Sequence, residues 1–145
     1  MKQRMEMKRL FMISVVALST CIGCHSFRKG DVESVVNTFH QAHQTHDWET
    51  VRSMVASPLR EEKSAAQWSK ENEKFTIVSW KIIRVEPTEA ITNQTGKTFK
   101  TVKVPMDMVV KQKDDPEPRK LKGHTDYWML VDGKWQWYYT GYPVD

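Results

Sequence analysis

At 145 residues and 17.0 kDa the chain has room for one domain. Hydrophobic residues at 39% and charged residues at 28% exclude a disordered or fibrous chain. The net charge of +4 does not point to nucleic acid, because Lys2, Arg4, Lys8 and Arg9 against Glu6 place most of it in the first 23 residues. The remainder is close to balanced and carries no basic stripe that could track phosphates. What is legible is an address and a fold class, not a reaction.

The address comes first in the chain. Lys8 and Arg9 precede the apolar run Leu10–Leu18, which ends at the small or polar Ser19, Thr20 and Gly23. A positive start, a short apolar run and small residues at a cleavage point are the order of a secretory signal. The run is interrupted by Ser14 and is shorter than the ~20 apolar residues of a membrane span. Translation starting at Met1, Met5 or Met7 leaves this reading intact.

Cys21 and Cys24 are the only cysteines. Their spacing matches a redox pair, but no thioredoxin-like βαβ setting surrounds them. The stretch Cys21-Ile22-Gly23-Cys24 resembles the lipobox of bacterial lipoproteins. That resemblance implies cleavage after Gly23 and acylation of Cys24; the competing register, Leu18-Ser19-Thr20-Cys21, would lipidate Cys21. Two or three acyl chains hold a protein stably on a membrane at about 0.8 kcal/mol per buried methylene. By the same resemblance, His25 in place of Asp favours the outer membrane, with the domain facing the periplasm. The expected organisation is a signal peptide over 1–23, a lipidated cysteine and tether over 24–30, and one domain over 31–145.

Asp31 is read as a helix cap, with Val32, Val35, Val36, Phe39 and Ala42 at helical spacing behind it. Asp47 caps a second, shorter helix carrying Trp48, Val51 and Val55. Ser57-Pro58 starts a third that runs to about Asn72. From Phe75 the period changes to two, and Phe75–Val85 is a β-branched and aromatic strand. A short strand follows over Thr88–Thr92, with a turn at Asn93–Gly96. Val102, Val104, Met106, Met108 and Val110 then make one apolar face of a third strand. Two prolines and three acids in Asp114–Pro118 make a loop. Lys120–Val131 is the next strand, Asp132-Gly133 is a two-residue hairpin turn, and Trp135, Trp137 and Tyr139 line the last strand. The expectation is an α+β domain, three helices packed on one face of a curved antiparallel sheet of four to five strands.

Phe39–Trp48, with its His-rich run ending in Asp47-Trp48, and Tyr127–Trp135, with its Trp-x-Leu-x-x-Gly-Lys-Trp ending, resemble small bacterial lipoproteins of the nuclear-transport-factor-2-like superfamily. The resemblance spans roughly Asp31 to Tyr142. It implies a cystatin-like cone fold, a bent sheet wrapped around helices, with a cavity that different members use for ligands, partners or catalysis. A fold with so many activities does not specify one.

Two groups of residues carry candidate chemistry. His40, His43 and His46 form a His-x-x-His-x-x-His run that rotates around the first helix, making a weak metal candidate without an evident further ligand. Asp107, His124 and Asp126, with Tyr127 beside them, are weak candidates for general acid–base work; Asp107 alternates with Met106 and Met108 and is expected to face water. No phosphate-binding loop, nucleophile elbow or cofactor fingerprint is present, so no cofactor is expected. For a ligand or partner surface the expected residues are Trp48, Trp68, Met106, Met108, Trp128 and Trp135 around the opening of the cone, with Tyr138 on an aromatic outer patch; the competing expectation is that these bulky groups fill the cone and leave only a core. Lysines from Lys97 to Lys122 are expected to form a solvated, aggregation-resistant edge. The functional expectation is a lipid-anchored, non-enzymatic accessory or binding domain taking a protein partner or a small apolar molecule. The alternative is a cavity enzyme of isomerase, dehydratase or hydrolase type using Asp107, His124 or Asp126. No nucleic acid partner is expected, and a dimer is compatible with the sequence.

Overall fold

In the computed structural model, which describes residues 29–145, helices precede a sheet. They are α1 (Lys29–Gln44), α2 (Trp48–Ser53), α3 (Leu59–Glu62) and α4 (Ala65–Asn72). The strands are β1 (Phe75–Ile82), β2 (Glu86–Thr92), β3 (Thr98–Gln112), β4 (Arg119–Val131) and β5 (Lys134–Trp137). The segment expected to be a signal peptide, with Cys21, Cys24 and His25 and the beginning of the expected tether, lies outside the described residues.

Helix α1 begins two residues before the expected cap, so Asp31 sits in its first turn and meets the positive end of the helix dipole. Asp47 caps α2 as expected, its Oδ1 accepting the Thr50 N–H at 3.2 Å. The expected third helix is in fact two. Lys63 adopts an extended conformation after α3, and Ser64 starts α4 with a capping box. Ser64 Oγ accepts from the Gln67 N–H at 3.2 Å, and Gln67 Oε1 accepts from the Ser64 N–H at 2.7 Å. That local pair competes successfully with helix continuation through Lys63.

Strand β3 organises the sheet. Its C-terminal half pairs with β1, Ile77 opposite Val110 and Ile82 opposite Met106. Its N-terminal half pairs with β2, Glu86 opposite Lys103 and Thr92 opposite Thr98. β1 and β2 therefore lie end to end along one edge of β3, while β4 and then β5 follow on the other. All pairings are antiparallel, and register shifts at Ile77/Ser79, Thr88/Ile91 and Met106/Met108 bend a strongly curled sheet. At the β4–β5 turn Asp132 has φ 48° and Gly133 φ 79°, the left-handed pair that a type I′ hairpin requires.

The inner face of β3 is the one its alternation predicted. Val102, Val104, Met106, Met108 and Val110 are all buried there, and α1 lays Val32, Val36, Phe39 and Ala42 against them. Each such large side chain contributes about 1.5–3 kcal/mol on burial. The outer face is partly covered as well. β5 stops at Trp137, and the chain turns Tyr138 and Val144 back over Phe99 and Met129. The Tyr138 N–H donates to the Tyr127 carbonyl at 3.0 Å and fixes that return. Tyr138 is thus a core residue, not part of an outer aromatic patch; Tyr139 is the ring left exposed, at 62%.

Candidate ligand pocket

The two groups of candidate residues, read as separate in the sequence, meet at one place. His40, on the face of α1 that points at the sheet, is 3% exposed, and Asp126, on the inner face of β4, is 5% exposed. A buried carboxylate can only accept hydrogen bonds, so its neighbours must donate. Asp126 Oδ2 accepts from His40 Nε2 at 2.7 Å, and Oδ1 accepts from His124 Nε2 at 3.1 Å. Alternation along β4 puts His124 two residues before Asp126 on the same face, and the bulge at Lys122–Gly123 leaves it half-exposed. The Nε2 tautomer of both imidazoles is set by the carboxylate between them. His40 Nδ1 is buried with no hydrogen-bond partner.

The electrostatics follow from this packing. Burial alone would push the Asp126 carboxyl up, but hydrogen bonds from His124 and His40 and their charges outweigh it and hold the group well below the usual carboxylate range. The hydrogen bond to Asp126 raises His124 above its ordinary value, against the opposing effect of burial. His43, one turn along α1, goes the other way. Burial first, and then repulsion from His40, lower it from 6.5 to about 4, against a smaller opposing pull from Asp126. It is therefore neutral near pH 7, its ring 4.8 Å from Phe39 and 5.2 Å from Trp48.

These groups line a pocket of about 200 Å³ between α1, α4 and the inner sheet face. Its walls are otherwise apolar: Phe39, Trp68, Phe75, Ile77, Met108 and Trp137, with Leu121 and the polar Asn72 completing it. It is more enclosed and more apolar than the shallow hollow around Lys81, Asp107, Lys120 and Lys122 on the sheet. His124 and Leu121 are its most exposed members and mark its mouth.

The remaining sequence candidates fall elsewhere. Asp107 is exposed on the outer face, where its Oδ1 accepts the Gly123 N–H at 3.1 Å, so it joins neither His124 nor Asp126. His46 lies beyond the end of α1 in a left-handed conformation, φ 59°, and stacks on Trp48. The three-histidine run is divided accordingly: His40 to Asp126, His43 to the pocket wall, His46 to solvent. Among the described residues no group of three or more His, Cys, Asp or Glu is placed to hold a metal ion. Trp68 and Met108 line the pocket, whereas Trp128 and Met106 are fully buried in the core behind it. Trp137 takes the wall position expected of Trp135, because both face inward on β5 but only Trp137 lies opposite Trp128. Trp48 packs at the core's edge. Sequence reasoning missed the His40–Asp126 pair; the one available signal was a histidine in register with Val36, Phe39 and the rest of the apolar stripe of α1.

No protein-family profile matches the chain, and no curated protein matches it. Among solved structures, the solution structure of a SEC-C motif containing protein from Rhodopseudomonas palustris is similar, with a TM-score of 0.56. The two are 10% identical over 82% of this chain and 83% of that one. The shared feature is an α+β fold with a curled sheet. At that identity the likeness concerns the fold and carries no activity across. Among the described residues no helix is long and apolar enough to cross a membrane.

Proposed function

We propose that the chain is a lipid-anchored, non-enzymatic binding protein facing the periplasm, its domain a cone fold of the nuclear-transport-factor-2-like kind. The anchor reading rests on the order Lys8-Arg9, apolar run, Gly23-Cys24. The binding reading rests on one observation, a largely apolar pocket of about 200 Å³ with a few convergent polar groups at one side. Aromatic and methionine walls suit a small apolar or aromatic molecule. Two measurements test it. Metabolic labelling with an alkyne fatty acid should mark the wild type and not Cys24→Ala; equal labelling of both moves the anchor to Cys21 or elsewhere. Small aromatic probes should change the tryptophan fluorescence of the wild type and not that of Leu121→Trp, in which the new ring closes the mouth. No response to any probe would end the pocket reading and move function to a protein partner.

A second reading is favoured by the His124–Asp126 pair, an imidazole oriented by a buried carboxylate beside an apolar space. That arrangement suits proton transfer in an isomerase, dehydratase or hydrolase. Asp107 has no part in it, being on the other face of the sheet. Turnover of a pocket-sized carbonyl or hydroxyl compound, abolished in His124→Gln with binding retained, would establish it over simple binding.

A further inference from the structure

We propose that the pocket selects small apolar acids, the carboxylate seated on His124 at the mouth and the apolar body among the aromatic walls. This rests on the binding reading above and names its ligand class. Size is the first argument. An engineered cavity of about 150 Å³ holds benzene, so about 200 Å³ takes one aromatic ring with two or three further carbons. Such a body fits between Phe39, Trp68, Phe75 and Trp137.

Polarity is the second argument. His124 Nε2 is committed to Asp126 Oδ1 at 3.1 Å, which leaves Nδ1 as the nitrogen free to meet a ligand. With the imidazole charged, Nδ1–H is a donor backed by a positive charge, and its natural acceptor is a carboxylate. The side chain is 42% exposed, so an acid bound there keeps part of its hydration and does not bury a bare charge. The other ionisable groups facing His124 are Asp126 on β4 and His40 and His43 on α1. Asp126 is already bonded by both His40 and His124, so its charge is compensated locally before a ligand arrives. Asp107, the nearest carboxylate on β3, is turned to the outer face.

The test uses the full-length chain with 3-phenylpropionate and its neutral counterpart 3-phenylpropanol, titrated calorimetrically at about pH 5.5 and about pH 8.5. At the lower pH the acid should bind about tenfold more tightly than the alcohol, the lower range for a charge-assisted hydrogen bond at a half-exposed site. Raising the pH until the His124 imidazole gives up its proton should remove the preference while the alcohol binds as before. His124→Gln should bind the alcohol normally and lose the preference at both pH values; the wild-type pH comparison stands even if that variant fails to fold. Equal affinity for acid and alcohol at the lower pH would overturn this proposal and leave the apolar binding reading standing. Failure of both compounds to bind would overturn the two together.

Discussion

His40 and Asp126 are separated by 86 residues of chain and joined by a 2.7 Å hydrogen bond in the interior. The pair ties α1 to the inner face of β4, and a second imidazole, His124, shares the same carboxylate. This contact makes α1 a wall of the pocket with a defined rotation about its axis.

Removing the carboxylate should therefore destabilise the fold. Asp126→Ala leaves His40 buried without an acceptor, and urea unfolding should show a loss of about 1–3 kcal/mol. Asp126→Asn keeps an oxygen acceptor and should lose less. A loss below about 1 kcal/mol in Asp126→Ala would mean that the pair is not a structural tie.

Stability should depend on pH in opposite senses through two histidines. His43 is held down to about 4 from 6.5, so between those values the unfolded chain binds the extra proton and stability falls as pH is lowered. The shift corresponds to about 3 kcal/mol. His124 is raised above 6.5, so its contribution is complete below that value and is lost as pH rises through its folded pKa. Urea midpoints across this range should show the acid limb flattened in His43→Phe and the upper limb flattened in His124→Gln. An acid limb unchanged in His43→Phe would assign it to another group.

The C-terminal return over the outer face is a structural element rather than a loose tail. Tyr138 is 8% exposed and packs with Phe99, Met129 and Ala56. Tyr138→Ala should lower stability by about 3 kcal/mol, as large-to-small core changes do, and should increase the binding of a hydrophobic dye. A loss of only a few tenths would show that the return is not part of the core.

Asp107 and Asp126 should separate cleanly in any assay. Asp107→Ala loses one exposed hydrogen bond and should change stability by no more than about 0.5 kcal/mol. Its affinity for phenylpropionate should equal that of the wild type within error. A large loss of binding in Asp107→Ala would place the ligand on the outer face of the sheet.

Local rules determined much of this protein from its residues. The change of period at Phe75, the alternation from Val102 to Val110, the Asp47 cap and the Asp132-Gly133 turn each depend on neighbours within a few positions, and each appears where the sequence places it. The Ser64 cap is equally local, but the Pro58 start six residues earlier belongs to a separate short helix, and the break at Lys63 between the two carries no signal as plain as a glycine or proline. The site was legible only as separate parts. His40 was visible as one histidine of a run and Asp126 as one acid beside His124. No rule of spacing connects two residues 86 positions apart, because their distance is set by how α1 docks in the curl of the sheet. The same holds for the aromatics: alternation puts Trp135 and Trp137 on one face, but the register of β5 against β4 decides which of them reaches the pocket. Side-chain chemistry and short-range geometry are written in the chain, whereas the meeting of distant groups is decided by burial of the common core, which the whole fold settles at once.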